Sequence, residues 1–318
     1  MSESKLPFIS IILPAKNEER YIAQALDALS CQSYPKELME IIVVDNNSTD
    51  RTAEISNQYD VKTITYGHGP VGAVRNFGFK KSIGEIIFFR DSDCVAPKDW
   101  ITNAVNKLKS NSKLVLGGGY SLRKNPHYIE RYWLLKTKNG ASLPKDLLGG
   151  SIAIHRDAFQ STGMFSENIT SGEDTLLSQT LIKNGYEVLI THKMSVIHLG
   201  NPITIKDFFY RQIWHSENYF KNLPASLRDP VFYLCIMAII CFVLMAISAL
   251  LLNSAQLTVL FLVFLLLLPI ILSVKRIVRS ESYLHFIRIP AIYVLDAIYL
   301  AGRSSGLLIS LKNRLLHR

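Results

Sequence analysis

The chain of 318 residues has no GxGxxG turn directly after its first apolar run and no GxxxxGK[ST] segment anywhere. The first absence disfavours a dinucleotide oxidoreductase, and the second excludes the P-loop way of cradling phosphates. Its four cysteines include no CxxC pair, so no metal-type thiolate spacing is present, and this usage fits a reducing cytosol. No aromatic-basic motif of a nucleic-acid reader occurs, and no nucleic-acid partner is expected. The net charge of +9 does not argue otherwise, because it is concentrated at one end. From Asn253 onward eight Lys/Arg stand against two acids, Glu281 and Asp296, so +6 of the total lies there.

Charge is also missing from residues 231–252 and 257–274. At roughly 18–22 residues each run is long enough to cross a bilayer as a helix, and a core helix of a soluble protein would carry a polar stripe. Neither run sits at the N-terminus, so neither reads as a signal peptide. The linker Asn253-Ser254-Ala255-Gln256 makes them a helical hairpin. Lys221 and Arg228 precede the first run, Lys275, Arg276, Arg279 and Arg288 follow the second, and the turn is uncharged. The positive-inside rule then puts both ends in the cytoplasm. Residues 286–311 are apolar but hold Arg288, Asp296 and Arg303, with Asp296, Tyr299 and Arg303 on one helical face. An amphipathic helix at the membrane interface is expected there. A third crossing is the alternative; it would carry Lys312-Asn313-Arg314 outside, against the charge rule. The expected organisation is a catalytic domain over 1–228, a transmembrane hairpin over 229–275 and a basic interfacial tail over 276–318, at the inner (plasma) membrane with the catalytic domain cytoplasmic.

The first half alternates. Residues 8–13 form a β-branched run that stops at Pro14; Asn17-Glu18-Glu19 then opens a helical pattern through Tyr21, Ile22, Ala25, Leu26 and Leu29. Residues 40–44, 61–65 and 85–89 read as further strands, with helices starting near Thr52 and Gly72. Strand-helix alternation predicts an α/β fold with a mostly parallel sheet. Ligands in such sheets sit beyond the carboxyl ends of the strands. Those ends hold residues 14–18, 45–50 and 91–93, a rim rich in carboxylates.

Within FFRDSDCVAP, residues 88–97, an apolar run ends on Asp91 and Asp93. Carboxylates repel phosphate unless a cation stands between, and Mg²⁺ or Mn²⁺ bridges carboxylates to a diphosphate. Period-two alternation would put Asp91 and Asp93 on one side and Ser92 on the other. A D-x-D alone is also what a solvated loop looks like; its place at the end of a buried strand favours the clamp. Cys94 reads as a small packing residue rather than a nucleophile.

Taken together, SIILPAKNEERYI, EIIVVDNNSTDRT, GAVRNFGFKKSIGEIIFFRDSDC and GEDTLLSQTLIKNGYEV resemble, in order, the motifs of family 2 glycosyltransferases of membrane-anchored bacterial type, over about residues 7–215. The resemblance implies a GT-A fold, a Rossmann-like mixed sheet, and inverting transfer from a nucleotide-diphosphate sugar. Pro14, Ala15, Asn17 and Glu18 match its first nucleotide loop, and Asp45 the acid that contacts the base, commonly uracil. Asn46 and Asn47 depart from the frequent second acid, with Asn47 kept among the donor-binding residues. Arg75 and Asn76 match an Arg-Asn pair near the diphosphate. Asp91 and Ser92 would touch the donor, and Asp91 and Asp93 the metal, Mn²⁺ or Mg²⁺. Glu173 and Asp174 match the acidic pair on the acceptor side, Asp174 as the base. Read without the resemblance, Asp174 is simply an acid at a helix N-terminus. His198 is a further metal ligand or a structural histidine. Gly149, Gly150 and Ser151 line a sugar and acceptor pocket or form a plain turn. Arg211 and Trp214 fall in a partial match to the Q-x-x-R-W of processive synthases; with too few membrane helices for a polymer channel, single addition is expected.

The expected partners are a UDP-sugar in preference, a lipid-linked or saccharide acceptor, the membrane, and, left open, a second copy of the chain. Polysaccharide or glycolipid synthesis would suit them. The competing reading is a non-catalytic nucleotide-sugar-binding scaffold, against which the intact Asp91, Asp93 and Asp174 argue.

Overall fold

The apolar runs of the first half form strands because β-branched residues dominate them, and they are unbroken because both sheet faces are covered. The computed structural model describes residues 6–135, 143–221, 223–280 and 288–316. These divide into two units, residues 6–124 with 143–201, and residues 125–135 with 202–316.

The chain begins with β1 (Ile9–Ala15), α1 (Ile22–Ser30), β2 (Met39–Asp45), α2 (Thr52–Ser56), β3 (Lys62–Thr65), α3 (Val71–Lys80) and β4 (Ile86–Phe89). There follow β5 (Cys94–Val95), α4 (Trp100–Leu108), β6 (Leu114–Gly117) and β7 (Tyr120–Ser121). After an excursion through α5 (Tyr128–Leu134), which packs in the second unit, come β8 (Ile152–His155), α6 (Arg156–Ser161), α7 (Glu173–Lys183), β9 (Glu187–Ile190) and β10 (Val196–His198). Seven strands form one sheet in the order β3-β2-β1-β4-β8-β6-β9. Only β8 runs against the rest, pairing antiparallel with β4 and β6. The sheet is thus mixed, as the resemblance implies. Its order reverses between β1 and β4, which opens a crevice at their carboxyl ends.

Alternate residues of β1 feed two cores. Ile9, Ile11 and Leu13 pack with Leu26, Phe88 and Trp100 on one face. Ile12 packs with Phe89, Phe159 and Phe165 on the other. Pro14 does not stop β1, contrary to the sequence expectation. The carbonyl of Ile12 accepts from the Arg90 N–H on the β4 side, so Pro14, two residues on, points its missing N–H to the same side. Pairing with β4 has ended at Ile12, so no ladder bond is lost. A second sheet of three short strands, β5-β10-β7, sets His198 opposite Cys94.

The second unit contains α5, α8 (Ile205–Ser216), α9 (Leu223–Ser226), α10 (Pro230–Leu250), α11 (Ala255–Arg279) and α12 (Ile289–Leu316). Asp229 caps α10 through the Val231 N–H at 2.9 Å, and Ser254 caps α11. These caps set the expected hairpin. Three helices, α10, most of α11, and α12, are long and apolar enough to cross a membrane by length and composition. For α12 this is compatible with the third crossing that the sequence reading left open beside a surface-lying helix. Its polar face is turned inward: Asp296 is fully buried, pairs with Arg276 at 2.6 Å and accepts from Ser273 at 2.9 Å. Arg303 lies over Tyr299 at 5.2 Å. An interfacial helix would hold such groups toward water.

Gly302 and Gly306 let α12 lie directly on α8: a side chain at 306 would run into the Ile213 carbonyl and the Ser216 hydroxyl. Gly306→Leu should therefore lower the thermal midpoint of the detergent-solubilised protein by several degrees, measured by the unfolding of intrinsic fluorescence. An unchanged midpoint would mean that the contact does not limit stability.

Candidate functional site

The site begins where β4 ends. Asp91 and Asp93 do converge, but through a turn and not through the extended alternation expected. The Cys94 N–H donates to the Asp91 carbonyl at 3.1 Å, and the chain folds back at once into β5. The fully buried Arg90 braces that turn by donating to the carbonyls of Ala25 and Cys94. Burial pulls its guanidinium down to about 10, which still leaves it charged at neutral pH.

The β5–β10 pairing delivers His198, and the Leu199 N–H donates to the Asp93 carbonyl at 2.8 Å. His198 Nε2 lies 3.4 Å from Asp93 Oδ2. One donor atom each from Asp91, Asp93, Cys94 and His198 lies within 4.8 Å of all the others. Two carboxylates and an imidazole suit a hard divalent ion such as Mn²⁺ or Mg²⁺. Cys94 does not fit that set. Burial, then Asp93 and Asp91, push its thiol well above the usual range, so it stays protonated and donates to Asp93 at 3.7 Å. His198 Nδ1 is buried and has no hydrogen-bond partner among the described residues.

Helix α3 supplies the cation beside these acids. Arg75 donates through Nη2 to Asp91 Oδ1 and through Nη1 to Glu173 Oε1, each at 2.6 Å. Burial works against its charge, but Asp91 and Glu173 more than offset this and keep it protonated. Its guanidinium lies over Phe165 at 5.2 Å, and Gly149 presses on it so closely that a side chain there would collide. At the N-terminus of α7, Glu173 is thus committed to Arg75. Asp174 is not: its carboxylate accepts from the Gly149 N–H at 3.0 Å and the Thr175 N–H at 2.7 Å. Burial first, then the neighbouring Glu173, push Asp174 up to about 7. Gly149 and Gly150 pass between these groups, Gly150 next to Asp91 and Tyr120.

The other expected residues divide. Pro14 and Ala15 end β1, and the loop behind them is tied to the loop behind β2. Asn17, at φ 58°, accepts from the Thr49 N–H at 2.8 Å, and the Glu18 N–H donates to Thr52 at 2.7 Å. Asp45 is buried at the end of β2 and accepts from the Ser48 N–H at 3.3 Å, while Asn47 is exposed in the left-handed region. Asn76, Ser151 and Ser92 are buried. Asn76 spends its amide on the loop at Phe165 and Glu167, which seats Phe165 under Arg75. Ser151 accepts from Trp100 and donates to Met194. Arg211 and Trp214 lie on α8 of the second unit. Sequence reading missed Arg90 and Tyr120; Tyr120 is half-buried, with its ring 4.6 Å from that of His198. The run Gly117-Gly118-Gly119 before it was the available signal, since Gly118 lies tight against the Met194 backbone.

Residues 10–165 match the family model described as Glycosyl transferase family 2. Glycosyltransferase AglE of Haloferax volcanii is 30% identical over 210 residues, which cover 63% of this chain and 69% of that protein. Probable glycosyltransferase YdaM of Bacillus subtilis is 30% identical over 210 residues, 58% of this chain and 49% of that one. Among solved structures, the mannosyltransferase PcManGT of Pyrobaculum calidifontis, in complex with GDP-Man and Mn²⁺, superposes with a TM-score of 0.61 at 17% identity. That match covers 96% of this chain and 88% of the other, and it shows the fold.

A methyl group at position 150 would stand 2.8 Å from the Tyr120 hydroxyl and 3.0 Å from Asp91 Oδ2. Gly150→Ala should weaken Mn²⁺ binding, read by electron paramagnetic resonance, with little change in thermal midpoint. Unchanged Mn²⁺ affinity would mean that Asp91 has room to move.

Proposed function

Because this chain belongs to the family 2 glycosyltransferases, we propose that it transfers a sugar, with inversion, from a nucleoside-diphosphate donor to a hydroxyl of a membrane-proximal acceptor. The observation that carries the reading is the division of labour at α7. Glu173 is taken up by Arg75, while Asp174 is half-buried, raised to about 7 and without a direct ion pair among the described residues. A carboxylate of that strength suits removal of a proton from an attacking hydroxyl near neutral pH. Asp174 is therefore the base. Arg75 brings a fixed positive charge to the side of the site where charge develops on the leaving group. Asp91, Asp93 and His198 would hold a divalent cation, which when bound neutralises charge on the departing diphosphate. PcManGT, bound to GDP-Man and Mn²⁺ on the same fold, supports both the donor class and the ion. Asp45 at the end of β2 favours a UDP-sugar. The apolar helices support an acceptor near the lipid, such as a lipid-linked saccharide, and Lys221 and Arg228 ahead of α10 favour a cytoplasmic catalytic unit at the plasma membrane.

Calorimetric titration of UDP, GDP and dTDP, with and without Mn²⁺, on wild type and Asp93→Ala tests the donor side. Binding of one nucleotide that needs both Mn²⁺ and Asp93 is expected; metal-independent binding, or none, would return the chain to the scaffold reading. On the acceptor side, Asp174→Asn should lower kcat by about 10²–10⁴-fold. The wild-type rate should rise with pH through an acid limb near 7, as Asp174 loses its proton. The same shift has a stability consequence. The folded carboxyl titrates above its unfolded value of about 3.9, so its ionisation costs stability as pH rises from about 4 through about 7. Asp174→Asn should then melt higher than wild type at pH 8, with the difference fading toward pH 4.

A further inference from the structure

The guanidinium of Arg75 is held on its face, on one edge and at both terminal nitrogens, while its buried Nε has no hydrogen-bond partner among the described residues. Phe165 lies on its face, Gly149 on its edge, and each terminal nitrogen has one carboxylate at 2.6 Å. Arg75 is 2% exposed and Glu173 5%. Asp91 therefore gives one oxygen to Arg75, and its other oxygen stands beside Gly150. Charge on Glu173 is felt in two directions. Through Arg75 it decides how strongly the cation pulls on Asp91, and so how much negative charge Asp91 offers to an ion. Along α7 it sits next to Asp174.

We propose that Glu173 is a positioning residue: it anchors Arg75 so that Asp91 stays available to a divalent ion, and its charge sets the basicity of Asp174. This rests on the reading of Asp174 as the base, and it separates two neighbouring acids that the sequence presents as a pair. The charged or titratable groups facing Asp174 are Glu173 from its own helix, Arg75 from α3 and Tyr120 from β7. Of these, Glu173 acts to raise it and Arg75 to lower it.

The test uses the full-length protein in detergent and the variant Glu173→Gln, which keeps an oxygen for Arg75 but not the charge. Mn²⁺ binding, read directly by electron paramagnetic resonance without donor or turnover, should weaken on the order of tenfold, as expected for one charge lost at short range in a partly screened interior. The acid limb of the rate profile should move to lower pH, because Asp174 loses its like-charged neighbour. The fall in kcat should be smaller than in Asp174→Asn. A kcat as low as that of Asp174→Asn would make Glu173 the base and overturn the proposal, as would an unchanged Mn²⁺ affinity together with an unmoved acid limb. Should Glu173→Gln fail to fold, Glu173→Asp keeps the charge and should hold both Mn²⁺ affinity and acid limb near wild type; loss of either would count against the proposal. An active Asp174→Asn would remove the base assignment, while the Mn²⁺ measurement would still decide the part played by Glu173.

Discussion

One buried cation organises the site. Arg75 sits between Asp91, at the end of β4, and Glu173, at the start of α7, 98 residues away from Arg75 in the chain. Taking these charges out of water is expensive, and only close, two-armed pairing offsets it. Breaking such a pair by removing one partner costs about 3–5 kcal/mol, because a charge is then left buried alone. The fold meets this requirement with much of its local machinery. Asn76 uses its amide to seat Phe165, Phe165 supports the guanidinium, and Gly149 leaves it room. Of the Arg-Asn pair, the arginine bridges Asp91 and Glu173 and the asparagine seats the wall behind it.

The acidic turn depends on the same logic at smaller scale. Asp91 and Asp93 repel each other; Arg75 holds the Asp91 carboxylate, and backbone bonds keep the turn itself closed. Asp91 closes the turn to Cys94, Arg90 braces it from inside, and Leu199, just past the end of β10, fixes Asp93. His198 arrives as a consequence, because one more residue of β10 pairing places its imidazole beside Asp93. A three-stranded sheet of minimal length thus completes a donor set that chain proximity could never supply.

The helical unit solves a different problem with the same chemistry. Asp296 is fully buried among apolar helices and is made tolerable by Arg276 and Ser273. Arg276 in turn donates to the Trp133 carbonyl and stacks on the Trp133 ring at 3.8 Å, which ties α5 to α11 and α12. Polar groups that suggest a water-facing stripe when α12 is read alone are therefore its inward face.

The sequence alone determined what period and composition can carry. The β-branched runs made the parallel strands, the uncharged stretches made α10 and α11, and the D-x-D at the end of a strand marked the acidic turn. Each of these signals is local: apolar spacing reports burial whichever neighbour provides it. Only the tertiary structure decided which side chains work together. It committed Glu173 to Arg75 and left Asp174 to be raised by burial. It brought His198 to Asp93 and Tyr120 against His198, buried Asn76, Ser92 and Ser151, and turned the Asp296 face of α12 inward. The reason is physical. Hydrogen bonds and ion pairs act over a few ångströms between residues tens of positions apart, and a linear pattern holds no record of which distant partner will satisfy a buried charge.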